Sequence, residues 1–540
     1  MEEKMIEELW GKKFSIGTFM SVLLICVSLF FVRYKMLQKS SEPNGLDGYF
    51  YALQAKSLVQ IGHLENPSYQ CGYYLCGLCS YFCGDAIKGV KLWSAISSAG
   101  ISLAIYLVLG FATGSFYFSL LGFSLSAASP TLTLMGVNYI NNQTGVMFLL
   151  LYVAFLVAVV KKSPKPVLGK IALYAVALIF FVLSALSHKV TLVFACLVTV
   201  VFVLMFLIRV VKYNPSILFG VKIIAGIVFL VALIPAYKFF RLHSPRFANA
   251  FSLPSLPFFN ATMKRTLGVG ALEMSVYAVL IYILAAVMII KKRIGRCLLL
   301  LVPALFFPFW NLDSDMGLRQ WMNAVPLGIP LMIFIIYQIV NFDGRHVIDN
   351  GNDSQDYPVK HDTGTRSTLT PRWNTFAKIT LIVLCVISYC FAFEHTPDLY
   401  NPDSDPPYGR YEKIVSDIEL DDDSLLIAHQ PLNHVYTYEK GLKDCLNWLP
   451  NFEVPVEKLW RLAHGTSISH VRDVLESNGL LPENSDELMR KIDFEYILIR
   501  EDLWQAYLLH ESPDMVEDLN NWYNPHEVRP DYIRKSKTKK

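Results

Sequence analysis

Residues 14–51 read FSIGTFMSVLLICVSLFFVRYKMLQKSSEPNGLDGYFY. The apolar run from Phe14 to Tyr34 is long enough to cross about 30 Å of hydrocarbon as a helix. Lys4, Lys12 and Lys13 precede it and no convincing small-residue cleavage site follows, so an uncleaved first membrane span is expected. Behind this span comes Pro43-Asn44-Gly45-Leu46-Asp47-Gly48-Tyr49-Phe50-Tyr51, which sets a carboxylate, Asp47, directly at the membrane surface.

The composition extends this reading to the whole chain. Of 540 residues, 53% are hydrophobic and 17% charged, and the mean hydropathy is +0.38. A soluble protein carries nearer a quarter charged residues. The apolar excess falls in runs of span length, so the chain reads as a polytopic α-helical membrane protein. The net charge of +3 conceals an asymmetry. Residues 395–540 hold 28 acidic and 16 basic residues, net −12, which leaves +15 on residues 1–394. A basic membrane part suits anionic lipid or lipid-phosphate contact, and an acidic tail reads as a soluble domain. No nucleic-acid partner is expected.

Eleven candidate spans emerge, at 14–34, 87–112, 115–136, 143–160, 171–187, 190–211, 217–237, 273–290, 297–310, 321–340 and 376–394. Lys161, Lys162, Lys165 and Lys170, then Arg209 and Lys212, then Lys291, Lys292, Arg293 and Arg296 fall in alternate connections. The intervening loops at 137–142 and 187–189 have almost no Lys or Arg, so the N-terminus is expected inside. Eleven crossings then put the C-terminal part outside the cytoplasm. Residues 343–375, rich in Gly, Asp, Ser and Thr, read as a cytoplasmic linker. Residues 395–540 read as a small extracytoplasmic α/β domain, with strands at 424–429 and 493–500 and helices at 456–464 and 469–477.

From Leu46 to Ile61, apolar residues recur at helical spacing while Asp47, Gln54 and Lys56 fall mostly off that stripe. This is the pattern of a short helix lying in the interface plane. Asp47 falls in its first turn, where the helix dipole favours the ionised form. On residue type alone Asp47 is either a helix-terminal residue or a functional carboxylate.

The stretch PNGLDGYFYALQAKSLVQIGHL resembles the first outer loop of GT-C superfamily glycosyltransferases. In that family a carboxylate follows the first span, and an aromatic-rich juxtamembrane helix ending in Gly comes next. The family includes protein O-mannosyltransferases and the aminoarabinose transferase of lipid A, which use polyprenyl-phosphate-linked sugars. Several members carry an Asp-Glu pair; here Asp47 is followed by Gly48, which leaves the subfamily open. The resemblance implies transfer of a sugar, with inversion, from a polyprenyl-phosphate donor to an extracytoplasmic glycan, lipid or protein. In such a reaction Asp47 takes the acceptor hydroxyl proton as base, or holds a divalent cation beside the phosphate. The outer loops 35–86 and 238–272 of the catalytic region 1–342 then flank the site, in a bacterial inner membrane.

Other residues fit that chemistry or a plainer one. Lys238, Arg241, Arg246, Lys264 and Arg265 place positive charge in an outer loop, where it is normally depleted. They are candidate ligands for the donor phosphate or for lipid headgroups. His188, in Ser187-His188-Lys189, either contacts the donor phosphate or marks the junction of two helices, and Arg319 precedes a Pro-bearing span as a further phosphate candidate. Cys71, Cys76, Cys79 and Cys83 approach an iron–sulfur spacing but sit among Tyr, Leu and Phe, which favours packing, with a disulfide next. The rival from another class is a lipid or glycan transporter. It calls for ionisable groups near mid-bilayer and matched broken helices, and the sequence shows no such pair.

Overall fold

The computed structural model describes residues 16–45, 47–65, 68–161, 167–213, 269–290 and 321–340. Beyond these it describes isolated positions between 379 and 439 and four short strands. The chain divides into two compact units: residues 1–39, 69–75 and 91–401, and residues 40–68, 76–90 and 402–540.

The first unit is a bundle of apolar helices. The described elements are α1 (Ile16–Leu37), α4 (Ala86–Thr113), α5 (Phe116–Ala128), α6 (Pro130–Asn138), α7 (Ile140–Lys161), α8 (Val167–Ser187), α9 (Lys189–Tyr213), α10 (Val269–Ile290) and α11 (Ala324–Val340). Between α1 and α4 run α2 (Gly48–Ile61) and α3 (Cys71–Cys83). Met20–Leu37, Ala86–Thr113, Ile140–Val160 and Lys189–Leu207 are each long and apolar enough to cross a membrane. They coincide with four of the spans expected from sequence. The candidate spans at 217–237 and 297–310 and the linker 343–375 lie outside the described residues, as does 376–394 apart from three helical positions.

One expected span needs correction. Residues 115–136 form not one helix but the pair α5 and α6, bent by 55°. The cause is Ser129-Pro130. Proline has no N–H and pushes the residue before it out of the helical region, and Ser129 is extended at φ −68°, ψ 118°. Ser129 Oγ then caps α6 by accepting from Leu132 N at 3.1 Å. Two ionisable side chains complete the break. Arg33, 2% exposed on α1, donates to the Ala127 carbonyl at 2.9 Å and to Thr133 Oγ1 at 2.8 Å. Glu273, on α10, accepts from Ser129 Oγ at 3.0 Å and from Thr131 N at 2.9 Å. The cation thus meets the carbonyl end of one half-helix and the anion the amide end of the next, the arrangement that helix dipoles favour. One broken helix is therefore present among the described residues, whereas the sequence reading concerned a matched pair of them.

Helix α7 packs most extensively against α8, and both meet α9. Small residues allow the approach, since association between apolar helices depends on close packing. Ser184 Oγ donates to the Gly145 carbonyl at 3.1 Å, and Thr191 Oγ1 donates to the Ser184 carbonyl at 2.9 Å. A second cluster joins α1, α4 and α5 through Val22, Cys26, Leu29, Ala99, Tyr106, Phe123 and Ala127.

In the second unit, β1 (Leu426–Ala428), β2 (Tyr496–Arg500), β3 (Val528–Arg529) and β4 (Tyr532–Ser536) form one sheet in the order β1-β2-β4-β3. β1 and β2 fall inside the two segments read as strands and pair in parallel, while β4 runs antiparallel to both β2 and β3. The helices expected at 456–464 and 469–477 lie outside the described residues.

The cysteines of α3 are free thiols, as are Cys26 and Cys196. Cys76 and Cys79 are buried, and burial pushes the Cys79 thiol up to about 11.

Candidate functional site

The loop bearing Asp47 is built by two glycines. Gly45, at φ 83°, takes the left-handed conformation that closes a turn, with Gly48 N donating to its carbonyl at 3.2 Å. Gly48 lies against Pro43: a β-carbon there would stand 3.0 Å from Pro43 Cβ and 3.1 Å from its carbonyl carbon. A side chain at position 48 would therefore have to displace Pro43 by a few tenths of an ångström.

Asp47 then opens α2. Its carbonyl accepts from Tyr51 N at 3.0 Å, but its carboxylate makes no capping hydrogen bond. The side chain is half-buried. The helix-cap reading therefore applies to the Asp47 backbone and not to its acid group. Helix α2 ends at Gly62, left-handed at φ 79°.

Helix α2 departs from the expected interface helix. Tyr49, Tyr51, Leu53, Gln54 and Ser57 are all buried. The exposed apolar face expected there is found on α3, where Tyr74, Leu78, Tyr81 and Phe82 recur at helical spacing and are all exposed.

What covers α2 is a segment some 360 residues further on, within the same unit. The Tyr408 hydroxyl donates to the Gly45 carbonyl at 2.9 Å, and the Tyr49 hydroxyl donates to Glu412 Oε1. The Tyr49 ring meets Tyr408 and Tyr438 edge-on, with centroids 4.8 Å and 5.3 Å away. Lys56 Nζ donates to the Tyr438 carbonyl and stands 4.4 Å from that ring's centroid. Phe50 packs against His434 at 4.9 Å.

Burial sets the electrostatics of this contact. It raises the Glu412 carboxyl, with help from Glu42 and Glu439 and against the Tyr49 hydrogen bond. It lowers Lys56, against the pull of Glu439, and holds His434 down at about 4. Among the described residues, no three His, Cys, Asp or Glu side chains gather as metal ligands.

The remaining candidates divide by position. His188, in the first unit, is 3% exposed. Its Nδ1 accepts from Val190 N at 3.3 Å and its carbonyl accepts from Leu192 N at 3.0 Å, so it forms the junction between α8 and α9. Arg241, Arg246, Lys264, Arg265 and Arg319 lie outside the described residues.

Sequence reasoning passed over three features. Tyr408 and Glu412 carry a four-residue helical spacing but no sign of their partner. Lys91, 2% exposed near the start of α4, is a cation within a candidate span, and the charge-depletion argument applied to 238–272 would have found it. Asn141-Asn142-Gln143-Thr144 opens α7 with a run of buried polar residues. There Trp93 Nε1 donates to Thr144 Oγ1 at 2.9 Å and Ser97 Oγ donates to Gln143 Oε1 at 3.1 Å.

No protein-family model matches the chain, and no curated protein matches it in sequence. Solved structures do match. ArnT from Cupriavidus metallidurans, bound to undecaprenyl phosphate, superposes with a TM-score of 0.54 at 11% identity, over 97% of this chain and 98% of that one. The Archaeoglobus fulgidus oligosaccharyltransferase, tethered by a disulfide to an acceptor peptide with the NVT sequon, gives 0.54 at 11% identity, over 98% of this chain and 75% of that one. Both are GT-C glycosyltransferases, and their likeness along nearly the whole chain shows that this protein shares their fold.

Proposed function

We propose that the chain is a membrane glycosyltransferase that moves a sugar from a polyprenyl-phosphate donor to an acceptor on the extracytoplasmic side. The observation that carries this reading is Asp47: within a GT-C fold, it follows the first span and keeps its carboxylate out of the helix cap. As the acceptor hydroxyl attacks the anomeric carbon with inversion, Asp47 accepts the hydroxyl proton and the lipid phosphate departs. Arg241, Arg246, Lys264, Arg265, His188 and Arg319 are the proposed cations and donors for that phosphate. The ArnT structure holds undecaprenyl phosphate and the oligosaccharyltransferase holds an acceptor peptide, which supports the class of both substrates.

Topology supports the same reading. Polar segments that pack together lie on one side of a bilayer, so the contact of 408–439 with α2 calls for an even number of crossings between them. Ten of the candidate spans fall between these segments, which is consistent with an extracytoplasmic α/β domain at 395–540.

The test is transfer from a polyprenyl-phosphate sugar by purified protein and by Asp47→Asn. Loss of transfer with the fold retained supports the base role; transfer at the wild-type rate ends it. A transporter reading gains one observation, the α5–α6 break with Arg33 and Glu273 at its two ends. Lipid movement by the protein in vesicles, unaffected by Asp47→Asn, favours that alternative.

A further inference from the structure

Two of the contacts made by the C-terminal segment bracket Asp47. Tyr408 holds the Gly45 carbonyl, two residues before it, and Glu412 holds the Tyr49 hydroxyl, two residues after it. Tyr408, Gly409, Glu412 and Ser416 each have helical backbone, and the two holding groups, four residues apart, reach opposite flanks of Asp47. The bracket is aimed at the loop itself. Gly45 carries the left-handed turn, its carbonyl already accepts from Gly48 N, and Tyr49 stands in the first turn of α2. Packing reinforces it, since the Tyr49 ring lies edge-on to Tyr408 and Tyr438, and Tyr408 is buried.

We propose that Tyr408 and Glu412 are positioning residues: the C-terminal segment is a clamp that fixes the backbone on both sides of Asp47 and thereby aims its carboxylate. The proposal rests on the transferase reading for its catalytic consequence, though not for the clamp itself. A hydroxyl-to-carbonyl bond on one flank and a carboxylate-to-hydroxyl bond on the other restrain the turn that sets the side chain's direction. Displacement of a reacting group by about 1 Å lowers rates about a hundredfold, so such restraint matters more for turnover than for donor binding.

The test uses the full-length protein in lipid nanodiscs, with Tyr408→Phe, Glu412→Ala, their combination, and the conservative Glu412→Gln. Amide exchange of the 45–51 segment and of α7 is measured beside kcat and KM for a polyprenyl-phosphate sugar. In the double variant we expect exchange at Gly48 and Tyr51 to quicken about tenfold while α7 is unchanged. We expect kcat to fall about 10- to 100-fold with KM within about twofold. Glu412→Gln, which keeps an acceptor for Tyr49, restores both readouts. The proposal is overturned if exchange is unchanged, if it quickens equally in α7, or if the loop loosens without loss of kcat. Full transfer by Asp47→Asn overturns the base assignment instead, and the clamp then stands or falls on amide exchange alone.

Discussion

Thr191 Oγ1 stands 2.4 Å from where a β-carbon at Gly145 would lie, with Thr191 Cγ2 at 2.9 Å. Helices α7 and α9 therefore meet at a position that admits only glycine without movement. Thr191 is stiff at χ1 and committed to the Ser184 carbonyl, so it yields poorly. Gly145→Ala is expected to destabilise the bundle by about 1–3 kcal/mol, read as a lower melting temperature in detergent. Adding Thr191→Ala should recover part of that loss; no recovery would place the strain elsewhere.

The Asp47 carboxylate can be separated from its place in the helix. Serine is a strong N-cap, so Asp47→Ser preserves or improves the start of α2 while removing the acid. We expect melting close to wild type and a fall in transfer of about 10²-fold or more, measured with a polyprenyl-phosphate sugar. Wild-type transfer by this variant would mean that position 47 serves the helix alone.

Restoring the Asp-Glu pair should fail. Gly48→Glu drives its β-carbon toward Pro43, whose ring and backbone are both in contact. The expected result is a loss of about 1–3 kcal/mol in stability together with lower transfer, measured by melting and by rate. A gain in rate would show that the loop rearranges freely.

Arg33 holds two acceptors across the α5–α6 break, and lysine has no planar fork to span both. Arg33→Leu leaves a buried carbonyl and hydroxyl to find other partners and is expected to cost about 1–3 kcal/mol; Arg33→Lys should fall between it and wild type. Unfolding in detergent with increasing denaturant gives the comparison.

Acid should loosen the contact over α2 through His434. Its folded value, about 4, lies below its ordinary 6.5, so the folded state favours the neutral ring. The resulting stabilisation is complete above about pH 6.5 and is lost as pH falls toward about 4. Glu412, raised in the fold, has the opposite sign, its contribution being present at low pH and lost as pH rises through its folded value. Exchange of the 45–51 segment at pH 7 and pH 5, in wild type and in His434→Asn, isolates the histidine. With rates corrected for the base-catalysed intrinsic exchange, the acid-induced loss of protection should shrink in the variant.

Much of the membrane part was legible because a span is a local property. Roughly 20 apolar residues must form a helix to satisfy their backbone in lipid, whatever their neighbours do. The strands at 426–428 and 496–500 announced themselves through short apolar runs in the same way. The break at Ser129 was written locally in Ser-Pro, yet the run of hydropathy across 115–136 concealed it.

The Asp47 loop shows where local reading stops. The sequence by itself determined the apolar helices, a carboxylate behind the first of them, and a resemblance strong enough to anticipate the GT-C fold. Only tertiary structure decided that this carboxylate makes no capping hydrogen bond, that Gly48 yields its space to Pro43, and that Tyr408 and Glu412 hold the two flanks of Asp47. Hydropathy depends on each residue and its near neighbours, whereas a hydrogen bond between residues 363 apart depends on where the intervening chain returns. That return is set by the packing of the whole fold.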